Sequence, residues 1–171
     1  VTIFMGIQSL MFYVFITWLP EILKVHDIGT DQSGWLLSIM QFALLPFTFI
    51  VPIIAARMLS QRPLVIITAL LLFTGTAGLL VGSPQWIVVW MLCIGIGCGC
   101  AFSLAMMFFT LRTQTAQQAA ELSGMAQSIG YLLAASGPAL FGFLHDVTDS
   151  WTPPLVIVLF ASCLLLIVGL W

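Results

Sequence analysis

Five amide and phenol side chains stand within long apolar segments of this sequence: Gln8, Tyr13, Gln41, Gln127 and Tyr131. Amides and phenols stay uncharged near neutral pH, so they offer neutral hydrogen bonds to a polar solute rather than a proton relay. Gln127 and Tyr131 are one helical turn apart and share a helix face. We expect the five side chains to face one polar cavity; the alternative is that each makes an ordinary hydrogen bond between helices.

The composition places the segments that carry these residues in lipid. Hydrophobic residues make up 61% of the chain and charged residues only 6%, against about 25% charged residues in a typical soluble domain. Six acidic and four basic side chains are too few to cover the surface of a globule of this size. The formal net charge of −2 comes without a basic patch, so we expect no nucleic-acid partner.

Six apolar runs reach or approach the length of about 20 residues that a helix needs to cross the hydrocarbon core. We therefore predict an all-α integral membrane bundle of six helices that forms a single domain over residues 1–171. The chain starts at Val1 inside an apolar run, without a methionine or a basic leader, and we expect it to be part of a longer protein. The predicted spans cover about 1–23, 34–56, 64–82, 85–110, 118–144 and 153–171.

The basic residues of the loops alternate along the chain. Arg57 and Arg62 fall in the second loop and Arg112 in the fourth, whereas Lys24 is the only lysine or arginine in the first, third and fifth loops. Because cytoplasmic loops of membrane proteins are enriched in lysine and arginine, we predict that the second and fourth loops are cytoplasmic. With six spans, both termini are then cytoplasmic as well.

Small residues recur at intervals of four in two of the spans. In lipid, helices associate through close backbone approach rather than through a hydrophobic drive, and small residues permit that approach. We expect both ridges to pack against neighbouring helices. The ridge of the fifth span comprises Ala126, Gly130, Ala134, Pro138 and Gly142, and that of the fourth comprises Cys93, Gly97, Ala101 and Ala105, beside a Gly95–Gly99 row.

Several segments resemble transporters of the major facilitator superfamily. The segment SGPALFGFLHDVTDSW (136–151) resembles their eleventh helix and following loop, and AARMLSQRP (55–63) a degenerate form of their basic loop motif. The segments GIQSLMFYVFITWLPEIL (6–23) and LSGMAQSIGYLLAASGP (122–138) are similar to the cyanate and nitroimidazole permease branch. The basic loop departs from the superfamily pattern, because Ala56 stands where an aspartate would precede the arginine.

This resemblance implies a secondary active transporter of twelve helices, of which the chain forms helices seven to twelve. Its two halves would rock around a midplane site and move a small solute, such as cyanate or a nitroimidazole, across the inner membrane by alternating access. The superfamily's cavity helices seven, eight, ten and eleven correspond to the first, second, fourth and fifth spans. The substrate-binding residues would be Gln8, Tyr13, Gln41, Gln127 and Tyr131.

The resemblance also implies partners and gates. The N-terminal six-helix half of the same transporter would complete the cavity, within a lipid bilayer. Trp18 and Glu21, near the outer end of the first span, would close an external gate or anchor the helix at the interface. The same gate or anchor role is expected of Arg57, Arg62 and Arg112 at the opposite end.

Two other functions stay open on the sequence, and a third is disfavoured. An intramembrane serine protease is disfavoured, because Ser136 lacks the first glycine of a Gly-x-Ser-Gly turn and His26 and His145 lie in loops. The chain is therefore predicted not to be an enzyme, and to need no metal or cofactor, since its cysteines lie in apolar runs and suit packing. The remaining alternatives are a natural half-transporter that works as a homodimer and a structural membrane subunit without transport activity.

Overall fold

The computed structural model describes residues Val1–Trp171 and contains six long helices and no strand. All six are long and apolar enough to cross a membrane, which confirms the predicted all-α membrane bundle. A short 3-10 turn, Pro84–Trp86, precedes the fourth helix. The helices are α1 (Thr2–Lys24), α2 (Thr30–Ala56), α3 (Arg62–Val81), α4 (Ile87–Leu111), α5 (Ala116–Thr148) and α6 (Thr152–Leu170).

The longest helix, α5, owes its start and end to local backbone chemistry. The Thr115 hydroxyl accepts a hydrogen bond from the Gln118 backbone N–H at 3.2 Å, which caps the first turn. The Gln118 side chain in turn accepts from the Gln114 N–H at 3.1 Å. At the other end Asp149 adopts a left-handed conformation with φ of 50° and closes the helix. The helix therefore continues beyond the apolar span at both ends.

The ridge of small residues on α5 lies against α1, the helix with which α5 makes its most extensive contact. A Cβ atom added at Gly130 would lie 3.2 Å from the Gly6 nitrogen and 3.3 Å from the Gly6 Cα. Nearer the C-terminal end of the helix, a Cβ at Gly142 would lie 2.6 Å from the Trp18 ring. Gly130 and Gly142 thus permit the close helix approach that the spacing predicts.

Glycines on two faces of α4 contact two different neighbouring helices. Gly97 faces α3, where a Cβ would lie 2.8 Å from the Leu72 side chain. Gly95 and Gly99 face α2, and a Cβ at Gly99 would lie 2.5 Å from the Leu44 carbonyl oxygen. Helix α4 is therefore the central helix of one side of the bundle, held between α2 and α3 through backbone contacts.

Charged residues gather at the two ends of the bundle. Arg62 and Arg112 line a pocket of about 250 Å³ beside the end of α6, together with Trp171. At the opposite end His26 and His145 line a second pocket, of about 200 Å³. The basic loops thus share one end of the molecule. Which end faces the cytoplasm stays a prediction.

Candidate functional site

A cavity of about 210 Å³ lies among α1, α2, α4 and α5. Its walls combine three of the predicted amide and phenol side chains, Gln8, Tyr13 and Tyr131. Its two tyrosines keep 43% and 40% of their surface exposed, so the cavity opens toward the outside of the bundle. The lining residues are Gln8, Ser9, Phe12, Tyr13, Leu44, Thr48, Cys98, Phe102 and Tyr131.

Gln8 is buried in this wall, with 5% of its surface exposed. Its amide nitrogen donates to the Ser9 hydroxyl at 2.7 Å and lies 3.3 Å from the Met5 sulfur. Its amide oxygen accepts no hydrogen bond from the chain, so it is available to a donor group of a bound molecule. The amide nitrogen therefore holds the Gln8 side chain in place, and the amide oxygen can accept a hydrogen bond from a bound molecule.

The two tyrosines meet across the α1–α5 contact. The rings of Tyr13 and Tyr131 stand edge to face with their centroids 6.4 Å apart, a favoured aromatic geometry. The Tyr131 hydroxyl donates to the Gln127 amide oxygen at 3.4 Å, and the Gln127 amide nitrogen donates to Ser123 at 2.6 Å. Gln127 does not line the cavity; it holds Tyr131 from the turn below.

Helix α2 contributes other residues than the expected Gln41. Gln41 is half-buried and lies outside the cavity lining, whereas Leu44 and Thr48 line the wall. Gln41 and Thr48 are seven residues apart, two helical turns or about 10 Å along the axis. Two residues at this spacing share one face of a helix, and the spacing does not fix which turn of that face reaches the cavity.

Helix α4 contributes two residues that carry no functional signal in the sequence. Cys98 and Phe102 are one turn apart and line the cavity opposite α1. In a helix that is apolar on every side, a cavity-lining residue and a core residue look alike in sequence. The spacing of the glycines on α4 is the one sequence feature that bears on the orientation of this helix, because it indicates which faces contact α2 and α3.

The predicted gate or anchor residues lie outside the cavity. The Trp18 indole nitrogen donates to the Pro138 carbonyl at 2.8 Å and joins α1 to α5. Glu21 forms an exposed ion pair with Lys24 at 2.7 Å. Arg112 lies with its guanidinium carbon 5.6 Å from the centroid of the Phe108 ring. Arg57 and Arg62 are exposed at the α2–α3 loop.

The residues considered for proteolysis do not come together. The Ser136 hydroxyl donates to the Leu133 carbonyl of its own helix at 2.7 Å. His145 stacks on Trp151 with ring centroids 4.1 Å apart, and His26 lies 3.0 Å from the Leu79 carbonyl. A nucleophile needs a base within hydrogen-bond reach, and neither histidine stands beside Ser136. No group of three or more metal-ligating side chains is present either.

Comparison with known proteins relates the chain to membrane transporters. A family model described as "Major Facilitator Superfamily" matches residues 1–171. The chain is 52% identical over 162 residues to a protein of Bacillus subtilis (strain 168) named "Uncharacterized transporter YycB". It is 42% identical over 170 residues to the "2-nitroimidazole transporter" of Escherichia coli (strain K12). It is 26% identical over 136 residues to the "Cyanate transport protein CynX" of the same organism.

These matches cover most of this chain but less than half of each relative. They take in 94%, 99% and 80% of the chain, and 40%, 43% and 35% of the respective relatives. The chain thus spans about two fifths of the length of the curated relatives it matches. No solved structure matches it. The resemblance to the cyanate and nitroimidazole branch, expected from the segments around residues 6–23 and 122–138, is confirmed by these relatives.

Proposed function

Since the chain belongs to the major facilitator superfamily, we propose that it forms helices seven to twelve of a secondary transporter that works by alternating access. The observation that supports this is the cavity among α1, α2, α4 and α5, the four helices that the resemblance assigns to the central cavity. Transporters of this fold bind solute near the midplane, between two halves that rock against each other. The pair of halves, the mechanism and the solute are all part of the proposal.

The chemistry of the wall favours a small solute with a few hydrogen-bonding groups. Gln8 supplies an amide oxygen, Tyr13 and Tyr131 supply phenol groups, and Phe12 and Phe102 supply ring faces or edges. No lining residue is charged. A neutral or weakly charged planar molecule suits such a wall, and relatives are named for the transport of 2-nitroimidazole and of cyanate. An anionic solute would need its counter-charge from outside this chain.

The opening of the cavity requires a second wall. The exposed tyrosines border that opening, and the chain spans about two fifths of its relatives, so the other wall would come from an N-terminal half of the same protein. A second copy of this chain is the alternative. The molecular mass of the protein purified from its native source separates the two, because a single polypeptide of about twice this length would exclude the homodimer.

The proposed orientation places the arginine-bearing loops in the cytoplasm. Single cysteines at Gln32 and Asp149, in a background without native cysteines, should react with an impermeant thiol reagent added to intact cells. A cysteine at Gln61 should react only after permeabilisation. Labelling of position 61 in intact cells would reverse the proposed topology.

The binding proposal is tested by uptake of labelled 2-nitroimidazole into proteoliposomes that contain the full-length carrier. Gln8→Leu should reduce uptake at low solute concentration about tenfold, since it removes one hydrogen bond worth about 1.4 kcal/mol to a bound solute. Tyr131→Phe tests the phenol group in the same way. Gln41→Leu is the matched control, because Gln41 stands on a wall helix outside the cavity lining. An equal loss from Gln41→Leu would contradict the assignment of the site.

A further inference from the structure

A proline interrupts the hydrogen bonding of α2 beside the cavity. Pro52 lies inside this helix and has no N–H, so the carbonyl of Thr48, four residues earlier, lacks its helical donor. Thr48 also lines the cavity. In a membrane such a carbonyl must find another donor within the protein.

That donor is a serine on α4. The Ser103 hydroxyl lies 3.1 Å from the Thr48 carbonyl oxygen and 3.3 Å from the Phe47 carbonyl oxygen. Ser103 is buried, with 2% of its surface exposed, so water does not compete for this bond. The hydroxyl therefore replaces the backbone donor that Pro52 removes.

This hydrogen bond differs from those of the other buried hydroxyl groups that donate to a carbonyl. Each of the other hydroxyl groups donates to a carbonyl three or four residues earlier in the chain. Such a bond does not connect one helix to another. Ser103 alone among them donates to a different helix. The hydroxyls bonded to their own segment belong to Ser33, Thr68, Thr76 and Ser162.

The glycines of α4 bring the two helices close enough for this bond. Gly99, one turn before Ser103, meets the Leu44 carbonyl, one turn before Thr48. The backbone of α2 therefore lies directly on α4 at Leu44, the first of its two cavity-lining residues.

Pro46 is the other proline inside α2. It leaves the Phe42 carbonyl without a helical donor, and no side chain donates to that oxygen. Pro46 therefore serves as a control for Pro52, because it removes a backbone donor that no serine replaces.

We propose that Ser103 is a positioning residue for the cavity: it holds the proline-interrupted part of α2 against α4 and so fixes where Leu44 and Thr48 stand in the wall. This inference rests on the proposed function, because it assigns the residue to the solute cavity. Loss of the hydroxyl should let this part of α2 move away from α4, so that Thr48 is exposed for a larger fraction of the time. The hydroxyl acts through the Thr48 carbonyl and makes no contact with the solute.

The test measures how fast a cysteine at Thr48 reacts with N-ethylmaleimide in the full-length carrier, in a background without native cysteines. The substitution keeps the backbone carbonyl to which Ser103 donates. Ser103→Ala should raise the labelling rate about threefold. This is the change expected when one interhelical hydrogen bond of average strength for a membrane protein is lost. Ser103→Thr keeps the hydroxyl and should restore the original rate.

The link to Pro52 is tested by a double substitution. Pro52→Ala restores the helical donor for the Thr48 carbonyl, so Ser103→Ala should change the labelling rate much less in that background. Pro46→Ala is the control, and there the full threefold effect of Ser103→Ala should persist. An equal effect of Ser103→Ala in all three backgrounds would overturn the proposal, as would an unchanged labelling rate in Ser103→Ala alone.

Folding and transport are read out separately. If Ser103→Ala yields no folded carrier, recovery of folding by Pro52→Ala supports the proposal and failure of the double variant overturns it. The labelling assay needs no solute. A wild-type carrier that fails to take up 2-nitroimidazole therefore counts against the proposed solute and leaves the labelling result to decide the role of Ser103.

Discussion

The α1–α5 contact and the α2–α4 contact form the two sides of the cavity, and they are built in opposite ways. In the first, both helices have a glycine at the crossing, where Gly130 contacts Gly6. Polar side chains of both helices near this crossing line the cavity. In the second, the glycines at the contact come from α4 alone, and they meet backbone carbonyl groups of α2. One side of the cavity presents amides and phenols; the other presents mainly apolar groups and a hydroxyl.

This difference separates binding from positioning. The polar groups of α1 and α5 are side chains, which can be changed singly without altering the backbone. On the α2–α4 side the polar contact is the Ser103 hydroxyl on backbone carbonyls, so substitutions there move a whole turn of helix. We therefore expect variants of the first side to alter solute affinity and variants of the second to alter the shape of the cavity.

The largest effect is expected where two backbones touch without a side chain between them. Gly130→Leu forces a side chain between α5 and the Gly6 backbone, and should lower the free energy of unfolding by about 3 kcal/mol or more. Denaturant titration of the purified full-length carrier measures this. Gly124→Leu is the matched control on the same helix, because a Cβ there meets nothing within 4 Å. Equal tolerance of both variants would mean that the α1–α5 crossing is not a tight backbone contact.

A smaller loss is expected on the α2–α4 side. Gly95→Ala places a methyl group on the Met40 carbonyl and 3.0 Å from the Ala43 Cβ, and should destabilise the carrier by about 1–2 kcal/mol. Gly34→Ala, in the open first turns of α2, should be neutral or slightly stabilising because alanine favours a helix more than glycine does. The same titration compares them. A stabilising Gly95→Ala would show that α2 can move off α4 at no cost.

A single hydrogen bond across the α1–α5 side should matter less than either backbone contact. Trp18→Phe removes the donor to the Pro138 carbonyl and keeps an aromatic ring near Gly142, so we expect a loss of about 1 kcal/mol. Trp86→Phe is the control, since Trp86 is exposed in the turn before α4. If the two variants unfold at the same denaturant concentration, the indole bond does not hold the two helices together.

The smallest effect is expected outside both contacts. Glu21→Gln breaks the exposed ion pair with Lys24, and such pairs contribute between about 0 and 1 kcal/mol. Stability should change by less than about 0.5 kcal/mol, and the dependence of uptake on pH should be that of the unaltered carrier. Loss of the pH response with solute binding retained would instead place ion coupling in this half.

The helices and their contact faces could be predicted because the relevant signals are local. The length of each apolar run identifies a span, and the four-residue spacing around Gly130 identifies a face that suits only another backbone. The cavity lining could not be predicted as well. Gln41 and Thr48 share a face of α2, and only the crossing of α2 over α4 decides which of them reaches the cavity.

The contribution of α4 to the site illustrates the same limit. Cys98 and Phe102 look like core residues in the sequence, because no polar group marks the turn that faces the cavity. Pro52 indicates that the Thr48 carbonyl lacks its helical donor, but the sequence does not indicate which helix supplies another donor. That answer depends on the register between two helices whose bonded residues, Thr48 and Ser103, are 55 residues apart along the chain, and no local pattern encodes that register.

The placement of all ten charged side chains, four basic and six acidic, at helix ends or in loops has an electrical consequence. A unit charge that crosses the whole field of a membrane held at 100 mV changes its energy by about 2.3 kcal/mol. Between its two ends this six-helix body carries no side-chain charge on which that voltage can act. Under the proposed alternating access, the rocking of this body would move no side-chain charge of its own through the field. Any current or voltage dependence of uptake would then report the solute, a coupling ion or the proposed partner half.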